Sequence, residues 1–278
     1  MLEPIRDWDD AFANMAHVAG SQALPDLWQK RAAAYRKSGV RLEEDIAYGN
    51  HARERLDIVW PDGPVKGLGV FIHGGYWMRL DKSFWTDLAE GARAHGWAVC
   101  LPSYTLAPEA RVSRMTRQIV EAIEIAAARV RGPIRLCGHS AGGHLATRMI
   151  CQDTALRADT LSRIEKVLSI SGLHDLRPLM QTRMNEILHL DEAEAIAESA
   201  VLQRPAANIA LTCWVGGAER PEFIRQTELM AHMWAGLDTR TDRFIDGEHN
   251  HFTVIEGLKD PASPITRSFI GAESLTPP

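Results

Sequence analysis

Leu136-Cys137-Gly138-His139-Ser140-Ala141-Gly142-Gly143-His144-Leu145 is the stretch on which the reading of this chain turns. Before it, Pro133 opens the run Ile134-Arg135-Leu136-Cys137, short and apolar as a buried strand is. After it, His144 to Cys151 places apolar residues at helical spacing. The middle is Gly-x-Ser-x-Gly, the pattern of a sharp strand-to-helix turn. A serine at such a turn carries its Oγ clear of the backbone. Glycines two before and two after it remove the Cβ atoms that would collide where strand and helix pack this closely. Taken alone, these five residues also fit a glycine-rich connection with an ordinary serine, so the surrounding chain has to decide.

Working outward, the strands come at regular intervals. Gly67-Leu68-Gly69-Val70-Phe71-Ile72 is a continuous apolar run, as expected of a strand covered on both faces. Trp97 to Pro102, Lys166 to Gly172 and Ile209 to Gly217 are further strands, and Thr241 to Asp246 is the last one. Helical runs lie between them, over Phe84 to Ala94, Ser113 to Arg131 and Glu222 to Gly236. Alternation of strand and helix predicts an α/β fold with a mostly parallel sheet. Upstream, Arg41 to Tyr48 and Glu54 to Trp60 are strand-like and separated by Gly49-Asn50, which predicts an antiparallel hairpin at the start of the sheet. Pro25 and Gly39 bracket a helix lying on the main body. Residues 1–23 carry no clear pattern. The stretch 177–206 is expected to form a small lid above the C-terminal strand ends, and the Pro-containing tail from Asp260 is expected to be partly frayed.

Composition narrows the function classes. The chain has 278 residues, 45% hydrophobic and 24% charged, with net charge −5. These values fit one globular domain over 1–278 and show no basic footprint for nucleic acid. Cys100, Cys137, Cys151 and Cys213 form no CxxC pair and read as reduced buried thiols, consistent with a cytoplasmic protein. No secretory leader or membrane-length apolar run is visible. A small-molecule substrate is therefore the expected partner, with no membrane; homodimer formation stays open.

Two further motifs complete a chemistry. His73-Gly74-Gly75-Tyr76-Trp77 ends a buried strand, and its paired glycines allow backbone N–H groups to converge on an anionic intermediate. The N–H groups of Gly75 and Ala141, with Gly74 or Tyr76, are the expected oxyanion hole. Where a serine of this kind is a nucleophile, an acid and a histidine follow it in chain order. Glu219 directly follows Trp214-Val215-Gly216-Gly217, and His251 follows the last strand. The expected roles are Ser140 as nucleophile, His251 as base and Glu219 as the group that fixes its tautomer. His249 is a rival base, and Asp238, Asp242, Asp246 and Asp175 are rival acids in less suitable positions. Tyr76, Trp77 and Tyr104 are expected to line an aromatic pocket. His139, beside the nucleophile, is a candidate substrate-binding residue with Tyr76 and Trp77, although it and His144 also suit structural roles. No HExxH helix accompanies His249-x-His251, so no metal is expected, and the chemistry needs no cofactor.

Assembled, these residues resemble the α/β-hydrolase superfamily, in the branch that holds the kynurenine formamidases (arylformamidases) and the hormone-sensitive-lipase-like esterases. The likeness rests on His73 to Trp77, the Gly138-to-Leu145 turn, Ser171-Gly172-Leu173-His174-Asp175-Leu176, Val215 to Glu219 and His251-Phe252. Asp45 to Gly49 and Glu54 to Asp57 also fit, so it spans about Asp45 to Leu258. The resemblance implies the α/β-hydrolase fold, with helices on both faces of the sheet. The HGGYW form points to the formamidase side, whose reaction is hydrolysis of N-formyl-L-kynurenine to formate and kynurenine in tryptophan catabolism. A carboxylesterase acting on short acyl esters and a non-catalytic ligand-binding protein are the alternatives. The family's acid is commonly aspartate; this chain has Glu219.

Overall fold

A computed structural model describes residues 4–206 and 209–271. Eight strands form one sheet: β1 (Leu42–Ala47), β2 (Arg55–Val59), β3 (Gly67–Ile72), β4 (Trp97–Pro102), β5 (Ile134–His139), β6 (Ile164–Ile170), β7 (Ala210–Gly216) and β8 (Thr241–Asp246). Their spatial order is β1-β2-β4-β3-β5-β6-β7-β8. β1 and β2 form the expected antiparallel hairpin, β2 also runs antiparallel to β4, and all later pairs are parallel. The helices are α1 (Trp8–Ala11), α2 (Leu24–Arg36), α3 (Glu90–Ala94), α4 (Val112–Arg129), α5 (Ala141–Arg148), α6 (Ala158–Leu161), α7 (Asn185–Leu188), α8 (Glu192–Glu198), α9 (Pro221–Ala235) and α10 (Pro264–Ile270).

The period-2 geometry of the strands divides the core in two. Leu68, Val70 and Ile72 of β3 and Ala98 and Cys100 of β4 face one side, with side chains from α4, α5 and α9 packed on them. Phe71, Val99 and Leu101 face the other, against Trp28 of α2, Ala92 of α3 and Phe269 of α10. Helices thus cover both faces, and the central strands are buried throughout, which is why their sequences read as unbroken apolar runs. The four cysteines are free and buried. No helix among the described residues is long and apolar enough to cross a membrane.

Three expectations need correction. The run Phe84 to Ala94 is not one helix. Single 3-10 turns at Lys82–Phe84 and Thr86–Ala89 precede α3, because Trp85 takes φ −129° and interrupts the ladder. The tail, expected to be partly frayed from Asp260, is structured as far as Gly271. Ser263 caps α10 by accepting from the Thr266 N–H, and Ile265, Phe269 and Ile270 are buried; the Pro277-Pro278 end lies outside the described residues. The segment 177–206 forms a 3-10 turn (Arg177–Gln181), α7, α8 and a second 3-10 turn (Ala200–Leu202), and it packs on α4 and α5. Glu194 fixes it there by accepting from Arg111 Nε at 2.7 Å and from the Ser113 N–H at 3.0 Å.

Candidate active site

Ser140 stands between β5 and α5 with φ 57° and ψ −119°, a strained conformation for a residue with a side chain. The turn persists because its surroundings admit nothing else. A Cβ on Gly138 would lie 2.0 Å from the Gly142 carbonyl oxygen, and one on Gly142 would lie 1.9 Å from that of Ile72. The Ser140 N–H donates across the sheet to the Ile170 carbonyl at 2.8 Å, which ties the turn to β6.

Glu219 and His251 come from the ends of neighbouring parallel strands, β7 and β8. His251 Nδ1 is 2.6 Å from Glu219 Oε2, and both side chains are buried. The carboxylate accepts, so Nδ1 carries the proton and Nε2 is left as the basic nitrogen. The other carboxylate oxygen, Oε1, accepts from Ser171 Oγ at 2.5 Å and from the Gly216 N–H at 2.8 Å. Ser171 itself sits at φ 51°, just past the end of β6. The His251 ring is clasped by Phe223, His139 and Phe252, with centroids at 4.5, 4.6 and 5.4 Å. His249, the rival base, is exposed and pairs weakly with Thr253 Oγ1 at 3.3 Å.

His139 has a different role from the one expected of a substrate contact alone. Its Nε2 lies 2.8 Å from the His251 carbonyl, which can only accept, so His139 buttresses the loop that carries His251. Burial holds its pKa well below the ordinary histidine value and keeps it neutral. Its ring still lines the cavity described below.

The segment after β3 supplies a second polar feature. His73 Nδ1 donates to the Gly74 carbonyl at 2.7 Å, and the His73 ring stacks on Tyr104 at 4.5 Å. A trans peptide points its C=O and N–H in opposite directions. Holding the Gly74 carbonyl on His73 therefore turns the Gly75 N–H to the other side. Gly74 packs against the nucleophile turn, where a Cβ would lie 2.9 Å from Ser140 Cβ. Among the described residues the N–H groups of Gly74, Gly75 and Ala141 donate to no protein group.

Ser140, His139, His251, Gly74, Gly75 and Tyr76 open onto one cavity of about 230 Å³. Its remaining walls are largely apolar and include Trp85, Phe252 and Leu80. The surprise is its cover. Asn14, Met15, Pro25 and Trp28, all from the N-terminal stretch, line the cavity, and no residue of 177–206 does. The lid position is therefore filled by the segment before β1, and the lid expected at 177–206 is corrected. The cover is pinned by Tyr76 Oη donating to the Phe12 carbonyl at 2.6 Å and by Trp28 packing on Trp85 at 4.8 Å. Two aromatic expectations fail. Trp77 is fully buried and lies edge-on to His144, 5.2 Å away, so it anchors the loop from below and is not a substrate contact. Tyr104, also fully buried, donates to the His73 carbonyl at 3.0 Å. Sequence reasoning missed Ser171 and the Asn14 to Trp28 cover. A serine directly after a buried strand was the only signal for the first, and nothing in residues 1–23 signalled the second. No group of metal-ligating side chains occurs among the described residues.

Comparison with known proteins agrees with this architecture. A family model described as alpha/beta hydrolase fold matches residues 69–237. The chain is 32% identical over 236 residues to a kynurenine formamidase of Danio rerio, covering 80% of this chain and 79% of the relative. Its structure resembles that of a candidate thioesterase from Silicibacter sp. TM1040, with 44% identity, TM-score 0.91, and coverage of 95% of this chain and 99% of the other. An esterase of Pyrobaculum calidifontis shares the fold at TM-score 0.70 and 18% identity, covering 90% of this chain and 92% of that one.

Proposed function

The chain belongs to the α/β-hydrolase family, in its kynurenine formamidase branch, and from that premise we propose that it is a serine hydrolase cleaving a small aryl formamide of the N-formylkynurenine type. The observation that carries the reading is that Ser140 and His251, the latter bonded to the buried Glu219, open onto one apolar cavity. In the proposed reaction His251 Nε2 takes the Ser140 hydroxyl proton as Oγ attacks the formyl carbon. The carbonyl oxygen becomes an oxyanion, met by the N–H groups of Gly75 and Ala141, with Gly74 beside them. Glu219 stabilises the imidazolium that results. Collapse breaks the C–N bond, and the imidazolium gives its proton to the departing nitrogen. Water, activated by the same imidazole, then attacks the formyl ester on Ser140 and releases formate.

Ester cleavage follows the same steps with oxygen or sulfur leaving, and the 44% identity to a candidate thioesterase supports it as the second reading. The test is side-by-side turnover of N-formyl-L-kynurenine, p-nitrophenyl acetate and a short acyl thioester, with Ser140→Ala as control. Preferred kcat/KM for the formamide, abolished in Ser140→Ala, is the expected result. Turnover confined to ester or thioester would overturn the formamidase assignment. Full activity in a folded Ser140→Ala protein would overturn the serine mechanism.

A further inference from the structure

One charged side chain at the cavity has no part in the proposed bond cleavage. Arg79 is exposed and belongs to the cavity lining. The other arginines around this face are engaged. Arg53 donates to the carbonyls of Tyr104 at 2.8 Å and Leu80 at 2.5 Å. Arg31 pairs with Glu256 and Asp87, Arg183 with Asp9, and Arg220 with Asp10. Arg79, in contrast, makes only a main-chain bond among the described residues, from its N–H to the Gly75 carbonyl at 3.1 Å. No carboxylate lines the cavity to neutralise it. Burial and the Glu219 carboxylate raise the Tyr76 hydroxyl well above its ordinary pKa, and the Arg79 charge opposes them.

The backbone under Arg79 is held firmly. Tyr76, Trp77 and Leu80 have φ of 53°, 57° and 70°, a conformation that side-chain-bearing residues adopt only when their surroundings impose it. Here Trp77 is locked in the core, Tyr76 is bonded to the Phe12 carbonyl and Leu80 to Arg53. A cation rising from a constrained loop beside an apolar cavity is the arrangement that selects a ligand with an apolar body and an anionic end. The planar guanidinium fork matches a carboxylate with two parallel hydrogen bonds.

We propose that Arg79 recognises a carboxylate on the substrate, at the end away from the scissile bond, so that the site takes aromatic or similarly apolar small molecules bearing one carboxylate. The proposal rests on the hydrolase reading above and makes Arg79 a specificity-determining residue. A short neutral ester would leave the guanidinium in water and gain nothing from it.

The experiment compares N-formyl-L-kynurenine with its carboxamide in the unaltered protein and in Arg79→Gln. The acid-to-amide ratio of kcat/KM is expected to fall about ten- to hundredfold in the variant, the scale of a charge-assisted hydrogen bond. An unchanged ratio, with both substrates losing equally, would mean that Arg79 serves only the loop and would overturn the proposal. A second arm does not depend on formamide turnover: 3-phenylpropionate and 3-phenylpropanamide compete against p-nitrophenyl acetate hydrolysis. Preferential inhibition by the carboxylate, lost in Arg79→Gln, supports Arg79 even where the formamidase assignment fails. Equal preference in both proteins overturns it.

Discussion

Ser171 shows how one side chain can brace a candidate site without lining its cavity. It holds a left-handed backbone conformation, a strain of about 1–3 kcal/mol for a residue other than glycine. In return its hydroxyl donates to Glu219 Oε1 while the Gly216 N–H donates to the same oxygen. Both bonds fix the carboxylate so that Oε2 faces His251. This also accounts for glutamate in the acid position, since the longer arm is tethered at its end. Ser171→Ala is expected to lower kcat about tenfold, in line with the loss of one hydrogen bond to a charged group. Measuring kcat against pH on p-nitrophenyl acetate checks this, and an unchanged kcat would assign the positioning to Gly216 alone. Ser140, Glu219 and His251 were legible because each follows a recognisable strand. Ser171 was not, because its bond spans 48 positions and exists only where β6 and β7 lie side by side.

Among the elements, α2 and the irregular segment before it do what a lid insertion was expected to do. Leu24 to Arg36 is a helix with Pro25 in its first turn, as the punctuation predicts. Its task is set by Trp28, which is buried against Trp85 and lies 5.8 Å from Phe252, the neighbour of His251. Removing a buried aromatic costs about 3–5 kcal/mol, so Trp28→Ala should both destabilise the fold and loosen the cavity. A lower unfolding midpoint together with a raised KM is the expected pair. A lower midpoint with KM unchanged would reduce Trp28 to packing. The segment 177–206 could not be told from a lid by sequence, since a long polar-apolar connection reads alike wherever it lands. Its docking on α4 is decided by Arg111 meeting Glu194 and Asp191 and by Thr116 donating to Glu198 at 2.6 Å.

At the scale of the whole molecule, buried neutral histidines tie stability to pH. Burial pushes His73 down to about 4 and His144 and His174 down to about 3. An unfolded chain takes up these protons near pH 6.5, whereas the folded one refuses them until far lower. Stability is therefore full above pH 6.5 and falls as pH drops toward 4, by about 1.4 kcal/mol per pH unit for each such group. Urea midpoints should decline steeply between pH 6.5 and 4.5; a flat midpoint over that range would contradict neutral burial. What sequence alone determined is the local part: the central strands by their apolar runs, the outer hairpin by its turn and alternation, the glycine-framed serine turn, and the chain order Ser140, Glu219, His251. These are legible because strand burial and turn sterics act over a few neighbouring residues. Tertiary structure decided the rest: that His251 and not His249 meets Glu219, that Ser171 holds that acid, that Trp77 is core, and that the N-terminal segment roofs the cavity. Each of these depends on groups far apart in the chain meeting across the sheet, and no local pattern encodes a meeting of that kind.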